Sequence, residues 1–232
     1  MTSEFSVSFE SRRGELAKRG KFVSILRQNP HSGMVRSNTL GAVLHHAMTA
    51  QMNDTCFHRK IEYSIAGISG SGLFDPADLG LKTFGFSSAC WRGYVAGYTL
   101  TENQLLLTRL QLGLAPADLR RATEIFGPPA ERSDGFIFQN LGRPVPYTGG
   151  LLLADGFITE LYVHMGFHPA WKYQEVRELI FDQGCLIADE DRSGQMTKVR
   201  EKISSKEQLR PTAKAGPEEI ERWIEECFSR KY

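Results

Sequence analysis

A succession of short β-favouring runs between residues 59 and 191 is the feature that most restricts how this chain folds. Ile61, Tyr63 and Ile65 alternate with polar or small residues, and further runs rich in leucine, aromatic and β-branched residues cover 94–100, 105–110, 135–139, 149–154 and 157–164. Alternation with a period of two places one face of a strand in a core and the other in water. The pattern therefore predicts a sheet as the main element of this region.

Two pairs of these runs are separated by residues typical of hairpin turns. The segment Thr101-Glu-Asn-Gln104 lies between two strand-like runs, and Asp155-Gly156 lies between two others. An Asp-Gly pair tolerates the positive φ angles that a two-residue hairpin turn requires. Both positions predict hairpins, and hairpins predict an antiparallel sheet.

Two helices complete the expected fold. Residues 116–126 have Pro116 in the first turn and an apolar stripe, and Gly127 with Pro128 and Pro129 ends the helix. From Pro217 to about residue 230, apolar side chains recur at helical spacing on one face: Ile220, Trp223, Ile224, Cys227 and Phe228. The predicted fold class is α+β, a curved antiparallel sheet with one packed helix and a C-terminal amphipathic helix that closes the core.

Charge and composition divide the chain into four segments. Residues 1–58 are expected to be a basic, partly helical extension, and residues 59–191 a β-rich α+β domain, either as one unit or as two units covering 59–112 and 113–191. Residues 192–216 are polar with few apolar anchors and predict a linker before the helix of 217–232. The region 131–192 carries five basic and ten acidic side chains, and this acidity suits a basic partner.

Several classes of function are disfavoured by composition. With 28 Lys and Arg against 27 Asp and Glu, the chain has no overall basic field for nucleic acid. No apolar run approaches the roughly 20 residues that cross a membrane, and the first residues do not resemble a secretory signal. The cysteines Cys56, Cys90, Cys185 and Cys227 lack the paired spacing of a zinc ribbon or disulfide scaffold. The expected setting is the cytoplasm, with reduced thiols and no membrane partner.

The sequence contains few patterns typical of catalysis. His164-x-x-x-His168 falls at the end of a strand-like run, where the spacing does not make two ligands converge, so no metal site is predicted. Gly67-x-x-Gly70-x-Gly72 is not followed by a helix whose amides could bind phosphate. No catalytic residue and no cofactor is assigned. The sequence favours a protein without enzymatic activity, and an enzyme stays as the alternative.

One alternative is a small-ligand pocket inside the curved sheet. Its walls would be aromatic, with Arg92 or His164 as the polar group, because ligand pockets are mostly apolar with few polar anchors. The aromatic residues of this predicted pocket are Trp91, Tyr94, Tyr98 and Tyr162.

Two segments resemble known bacterial proteins. Cys90-Trp-Arg-Gly-Tyr-Val-Ala-Gly-Tyr-Thr-Leu, followed by Gln104-Leu-Leu-Leu-Thr, is similar to a segment of uncharacterised cytosolic β-rich proteins, with Tyr98 where a Trp is expected. Leu114-Ala-Pro-Ala-Asp-Leu through Ile125-Phe-Gly-Pro-Pro129 resembles the helix and turn of immunity proteins and β-lactamase-inhibitor-like modules, with Phe126 in place of the usual Leu. The second resemblance implies binding of a partner protein.

The leading functional prediction is therefore a bacterial cytoplasmic, protein-binding protein, with an immunity-type inhibitor of a toxin as its sharpest form. A basic toxin would face the acidic region, because charge complementarity speeds encounter and selects partners. The predicted contact residues are Asp134, Glu160, Asp182, Asp189, Glu190 and Asp191.

Overall fold

Strands form most of the regular structure in residues 49–204 and 216–232, which are the residues that the computed structural model describes. The strands are β1 (Thr55–His58), β2 (Ile61–Ser71), β3 (Tyr94–Thr101), β4 (Gln104–Leu112), β5 (Glu131–Arg132), β6 (Phe136–Phe138), β7 (Arg143–Pro144), β8 (Thr148–Phe157), β9 (Tyr173–Asp182) and β10 (Cys185–Asp191). The α-helices are α1 (Pro116–Phe126), α2 (Ser193–Ser204) and α3 (Pro217–Phe228). Short 3-10 turns cover Pro76–Leu79, Thr159–Leu161 and Ala170–Lys172.

Seven of these strands close into a barrel. They follow the order β10-β9-β8-β2-β1-β3-β4, and β10 pairs again with β4 through Cys185 and Gln104. The pairing of β1 with β3 is parallel and the other pairings are antiparallel, so the barrel is mixed. The prediction of a curved antiparallel sheet in an α+β fold is therefore wrong, because the sheet closes into a mixed barrel. Alternation shows which side of a strand is buried, but the contact that closes the ring joins residues far apart in sequence.

Turn chemistry explains one correct hairpin and one error. Glu102 and Asn103 have φ angles of 50° and 65° and connect β3 to β4, as the sequence predicts. Asp155 and Gly156 instead lie within β8, where Asp155 pairs with Glu175 of β9. Pairing with a neighbouring strand overrides the local turn preference at this position.

Large side chains fill the barrel. The fully buried ones come from most of the strands and are Tyr63, Tyr98, Tyr147, Phe138, Phe181, Ile65, Leu105, Leu110, Leu112, Leu151, Leu153 and Leu179. Helix α1 packs Ala122 and Phe126 against this core, and the Phe126 ring lies 5.6 Å from that of Phe138. Small barrels are commonly filled in this way.

Both predicted helices are confirmed, at Pro116–Phe126 and Pro217–Phe228. Helix α2 lies within the segment predicted to be a linker, and β1 lies within the range predicted as an extension. Residues 1–48 of that extension lie outside the described residues. No helix in the described part of the chain is both long enough and apolar enough to cross a membrane.

Candidate protein-binding groove

An apolar groove lies where three connecting segments meet. It has a volume of about 390 Å³ and is bounded by the loop before β3, the start of α1 and the β5–β6 turn. Its lining residues are Phe84, Gly113, Leu114, Pro116, Leu119, Arg132, Ser133, Asp134, Gly135 and Phe136. A second hollow, of about 540 Å³, lies along α1 between charged side chains such as Arg120 and Glu124. The apolar lining makes the first groove the better candidate for binding.

Glycines allow the three segments to approach one another. A Cβ at Gly113 would collide with the carbonyl oxygen of Phe84, and one at Gly135 would lie 2.9 Å from the carbonyl oxygen of Leu112. The amide of Phe84 donates to the carbonyl of Gly113 at 3.0 Å, and the amide of Gly113 donates to the carbonyl of Gly93 at 2.9 Å. These contacts fix the backbone that holds the Phe84 side chain at the groove.

Two large aromatic side chains are exposed on the loop before β3. Phe84 is 53% exposed and Trp91 is 50% exposed. Hydrogen bonds to a buried residue anchor the loop. The side chain of Gln51 accepts from the Trp91 amide and donates to the Ser88 carbonyl, both at 3.0 Å. An anchored loop presents an aromatic side chain at little cost in conformational entropy.

The groove also has a charged rim. The Arg132 guanidinium lies 5.2 Å from the centre of the Phe136 ring, and Asp134 lies in the exposed turn between β5 and β6. An apolar centre with a polar, solvent-accessible rim is the usual anatomy of a protein–protein interface. The groove therefore brings together the aromatic loop and one predicted contact residue, Asp134.

The six acidic residues of the predicted contact surface are spread over four places in the fold. Asp134 lies in the β5–β6 turn, Glu160 in a 3-10 turn, Asp182 at the end of β9, and the remaining three in β10. Glu190 pairs with Arg192, and the Asp191 carboxylate accepts from the amide of Ser193 at the start of α2.

Asp189 is held in an ion-pair network, the mouth cluster of His58, Arg59, Arg177 and Asp189. Its carboxylate lies 3.0 Å from His58 Nε2, 2.8 Å from Arg59 Nη2 and 2.6 Å from Arg177 Nη2. Burial alone would raise the pKa of Asp189, but hydrogen bonds from His58 and Arg177 hold it below its ordinary value. The network joins β10 to the end of β1.

The residues of the predicted pocket are divided among several places in the fold, although Arg92 Cζ lies 4.4 Å from the centre of the Tyr94 ring. Tyr98 is buried in the barrel core, and burial raises its pKa well above the ordinary value. Tyr94 packs on the same core, whereas Trp91 is on the surface. Tyr162 and His164 lie in the β8–β9 connection, with their ring centres 4.7 Å apart.

Arg92 is bound to a residue that the sequence analysis missed. Its guanidinium pairs with Asp54 at 2.6 Å, and Asp54 also accepts from Arg230 at 3.0 Å and from the Ala96 amide at 2.7 Å. A single carboxylate before a strand carries no pattern in the sequence. Its role depends on Arg230, which lies 176 residues away.

One buried basic pair lies beside Tyr162. Lys172 Nζ is 3.4 Å from His168 Nδ1, and the His168 ring lies 4.7 Å from that of Phe157. Burial and the nearby ammonium lower the pKa of His168 to about 4. No group of three or more His, Cys, Asp or Glu side chains suited to a metal ion occurs among the residues that the structure describes.

Comparison with known proteins gives no relative. No protein-family model, curated protein or solved structure matches the chain.

Proposed function

We propose that the protein is a protein-binding module and that the apolar groove, with Phe84 in its lining, is its contact surface. The observation that carries the proposal is the half-exposed side chain of Phe84, which backbone contacts hold in the lining of an apolar concavity. Exposed aromatic residues around such a concavity are typical of binding surfaces.

The filled barrel favours a surface site over an internal pocket. Among the residues that the structure describes, twelve large side chains are less than 2% exposed and occupy the core. A ligand inside the sheet would have to displace several of them, and each large apolar side chain contributes roughly 1.5–3 kcal/mol by its burial. A partner at the groove gains apolar burial without this loss.

The rim suggests how the partner is oriented. Arg132 and Asp134 carry opposite charges on either side of one residue. A partner with an apolar anchor between an acidic and a basic side chain would satisfy both. The aromatic centre would supply affinity, and the rim would select the orientation.

Site-specific cross-linking tests the location. A photo-reactive phenylalanine analogue at position 84 should capture a protein in a lysate of the native host, and the same analogue at position 57 should not. Phe57 is a matched control because it is 45% exposed on β1, away from the groove lining. Equal capture at both positions, or capture at position 57 alone, would contradict the proposal.

The immunity-type inhibitor of a basic toxin is the finer form of this proposal. It requires that the captured partner is basic and loses activity when bound. Its charge dependence is best tested at exposed carboxylates, with the combined substitutions Asp134→Asn, Glu160→Gln and Asp182→Asn, because Asp189 also holds the mouth cluster. We expect weaker binding and a flatter dependence on salt. An unchanged salt dependence would contradict the inhibitor form and leave the groove proposal standing.

A further inference from the structure

A second candidate binding feature is the edge of strand β2 in the wall of the barrel. Strand β1 is short and pairs with β2 only as far as Ser64. Beyond that point, the Ile68 amide donates to the carbonyl of Arg230 at 2.6 Å, and Ile68 forms a parallel bridge with Lys231. Residues 230–232 thus lie beside β2 and pair with it through this single bridge.

Arg230 enters a built site for a guanidinium group. It donates to Asp54 at 3.0 Å, and its Cζ lies 4.8 Å from the centre of the Phe167 ring. Asp54 has a side chain only 3% exposed. Burial opposes its ionisation, but Arg92 and Arg230 together lower its pKa to about 2, so the carboxylate is charged.

Tyr232 occupies a cradle made by two glycines. A Cβ at Gly67 would lie 2.8 Å from the Tyr232 ring, and a Cβ at Gly150 would collide with its hydroxyl group. That hydroxyl donates to Glu178 at 3.2 Å. The barrel surface is therefore shaped to accept an aromatic ring with a hydrogen-bond donor.

Each of the two carboxylates also pairs with a cation that lies outside residues 230–232. Asp54 retains Arg92 at 2.6 Å, and Glu178 retains Arg192 at 2.6 Å. A buried charge without a partner costs several kcal/mol, and neither carboxylate is left in that state. The site can therefore keep its charges paired when residues 230–232 leave it. A contact that only stabilises the fold would not need this property.

We propose that Asp54, Phe167, Gly67, Gly150 and Glu178 form a peptide-recognition site for an extended segment with Arg and, two residues later, Tyr. Residues 230–232 occupy this site in the structure, and a partner protein with the same Arg-x-Tyr pair competes for it. Recognition combines addition of a strand to an exposed edge with pockets for alternate side chains. Tyr232 remains 48% exposed, and residues 69–71 of β2 are exposed beyond it, so an incoming segment has access.

Peptide binding to the full chain tests this site. A fluorescent peptide with the sequence of residues 228–232 is titrated against the wild type and against the double variant Arg230→Ala, Tyr232→Ala, with anisotropy as the readout. We expect the double variant to bind at least tenfold more tightly, because its own segment no longer competes. A control peptide with Glu in place of Arg should lose at least tenfold in affinity for the double variant.

Three results would overturn the proposal. The first is the absence of peptide binding to a double variant whose circular dichroism spectrum and thermal transition show a folded protein. The second is equal binding to the wild type and the double variant, which would place the peptide elsewhere. The variant Glu178→Gln, added to the double variant, should weaken binding through the tyrosine, and unchanged affinity would also contradict the site. None of these results depends on cross-linking at position 84, so this site and the groove are tested separately.

Discussion

The substitution Asp54→Asn is expected to be among the most destabilising single changes of a polar residue in the described barrel. Asp54 accepts hydrogen bonds from Arg92, Arg230 and the Ala96 amide, and its side chain is 3% exposed. Removal of the negative charge leaves two largely buried guanidinium groups without a counter-ion. Breaking a buried ion pair by removing one partner costs roughly 3–5 kcal/mol. The pKa of Asp54, lowered from 3.8 to about 2, gives a smaller figure of about 2 kcal/mol for protonation alone.

The matched variant is Arg230→Ala, in which Asp54 keeps Arg92. This change removes one charged hydrogen bond, worth roughly 1.5–3 kcal/mol, and leaves no buried charge unpaired. The free energy of unfolding is measured for both variants by urea denaturation with tryptophan fluorescence. Asp54→Asn should cost at least about 1 kcal/mol more than Arg230→Ala. A smaller loss for Asp54→Asn than for Arg230→Ala would refute this account of the network.

The pH dependence gives an independent check of the same carboxylate. Because its pKa is lower in the folded state, its stabilising contribution is present above about pH 3.8 and is lost as the pH falls towards 2. The difference in stability between the wild type and Asp54→Asn should therefore shrink across that interval. A constant difference would show that the stabilisation does not depend on the ionised carboxylate.

Three further predictions concern other parts of the barrel. The pKa of His168 is lowered to about 4, so the unfolding free energy should fall by up to about 3 kcal/mol as the pH falls from 6.5 to 4. Urea midpoints should show a smaller loss for His168→Gln than for the wild type. Gly150→Ala should lower the unfolding free energy by roughly 1–3 kcal/mol through overpacking. Gly194→Ala, whose added methyl group would lie in open space, should be neutral or stabilising, and equal thermal shifts of the two variants would contradict the cradle. Asp189→Asn should lower the unfolding free energy by roughly 1–3 kcal/mol, more than Glu190→Gln at its exposed neighbour, and the reverse order would contradict the mouth cluster.

Local patterns in the sequence predict the elements that depend on local chemistry. The helix at 116–126 follows from Pro116 and Gly127, and the β3–β4 hairpin follows from the polar turn after Thr101. The closed ring does not follow, because nothing near Cys185 in the sequence indicates that Gln104 is its neighbour. The same limit applies to Asp155, where pairing with β9 determines the backbone.

The candidate groove is only partly visible in the sequence. The aromatic block that contains Phe84 and Trp91 is evident, but alternation alone cannot separate an exposed loop from a core strand. Trp91 is exposed and Tyr98 is buried, although the two are seven residues apart in one aromatic run. Asp54 and Arg230 gain their roles only when the chain is folded, since they lie 176 residues apart.

The seam between β4 and β10 has a consequence for the order of folding. It holds one register pair, Cys185 with Gln104, flanked by amide donations from Leu105 to Gly184 and from Leu186 to Asn103. The two partners are 81 residues apart, so the ring cannot close during synthesis until β10 has left the ribosome. Contacts of such separation form slowly because the loop entropy is lost first. Nascent chains that end before β10 would therefore expose the unpaired edge of β9, and such edges promote aggregation until the ring closes.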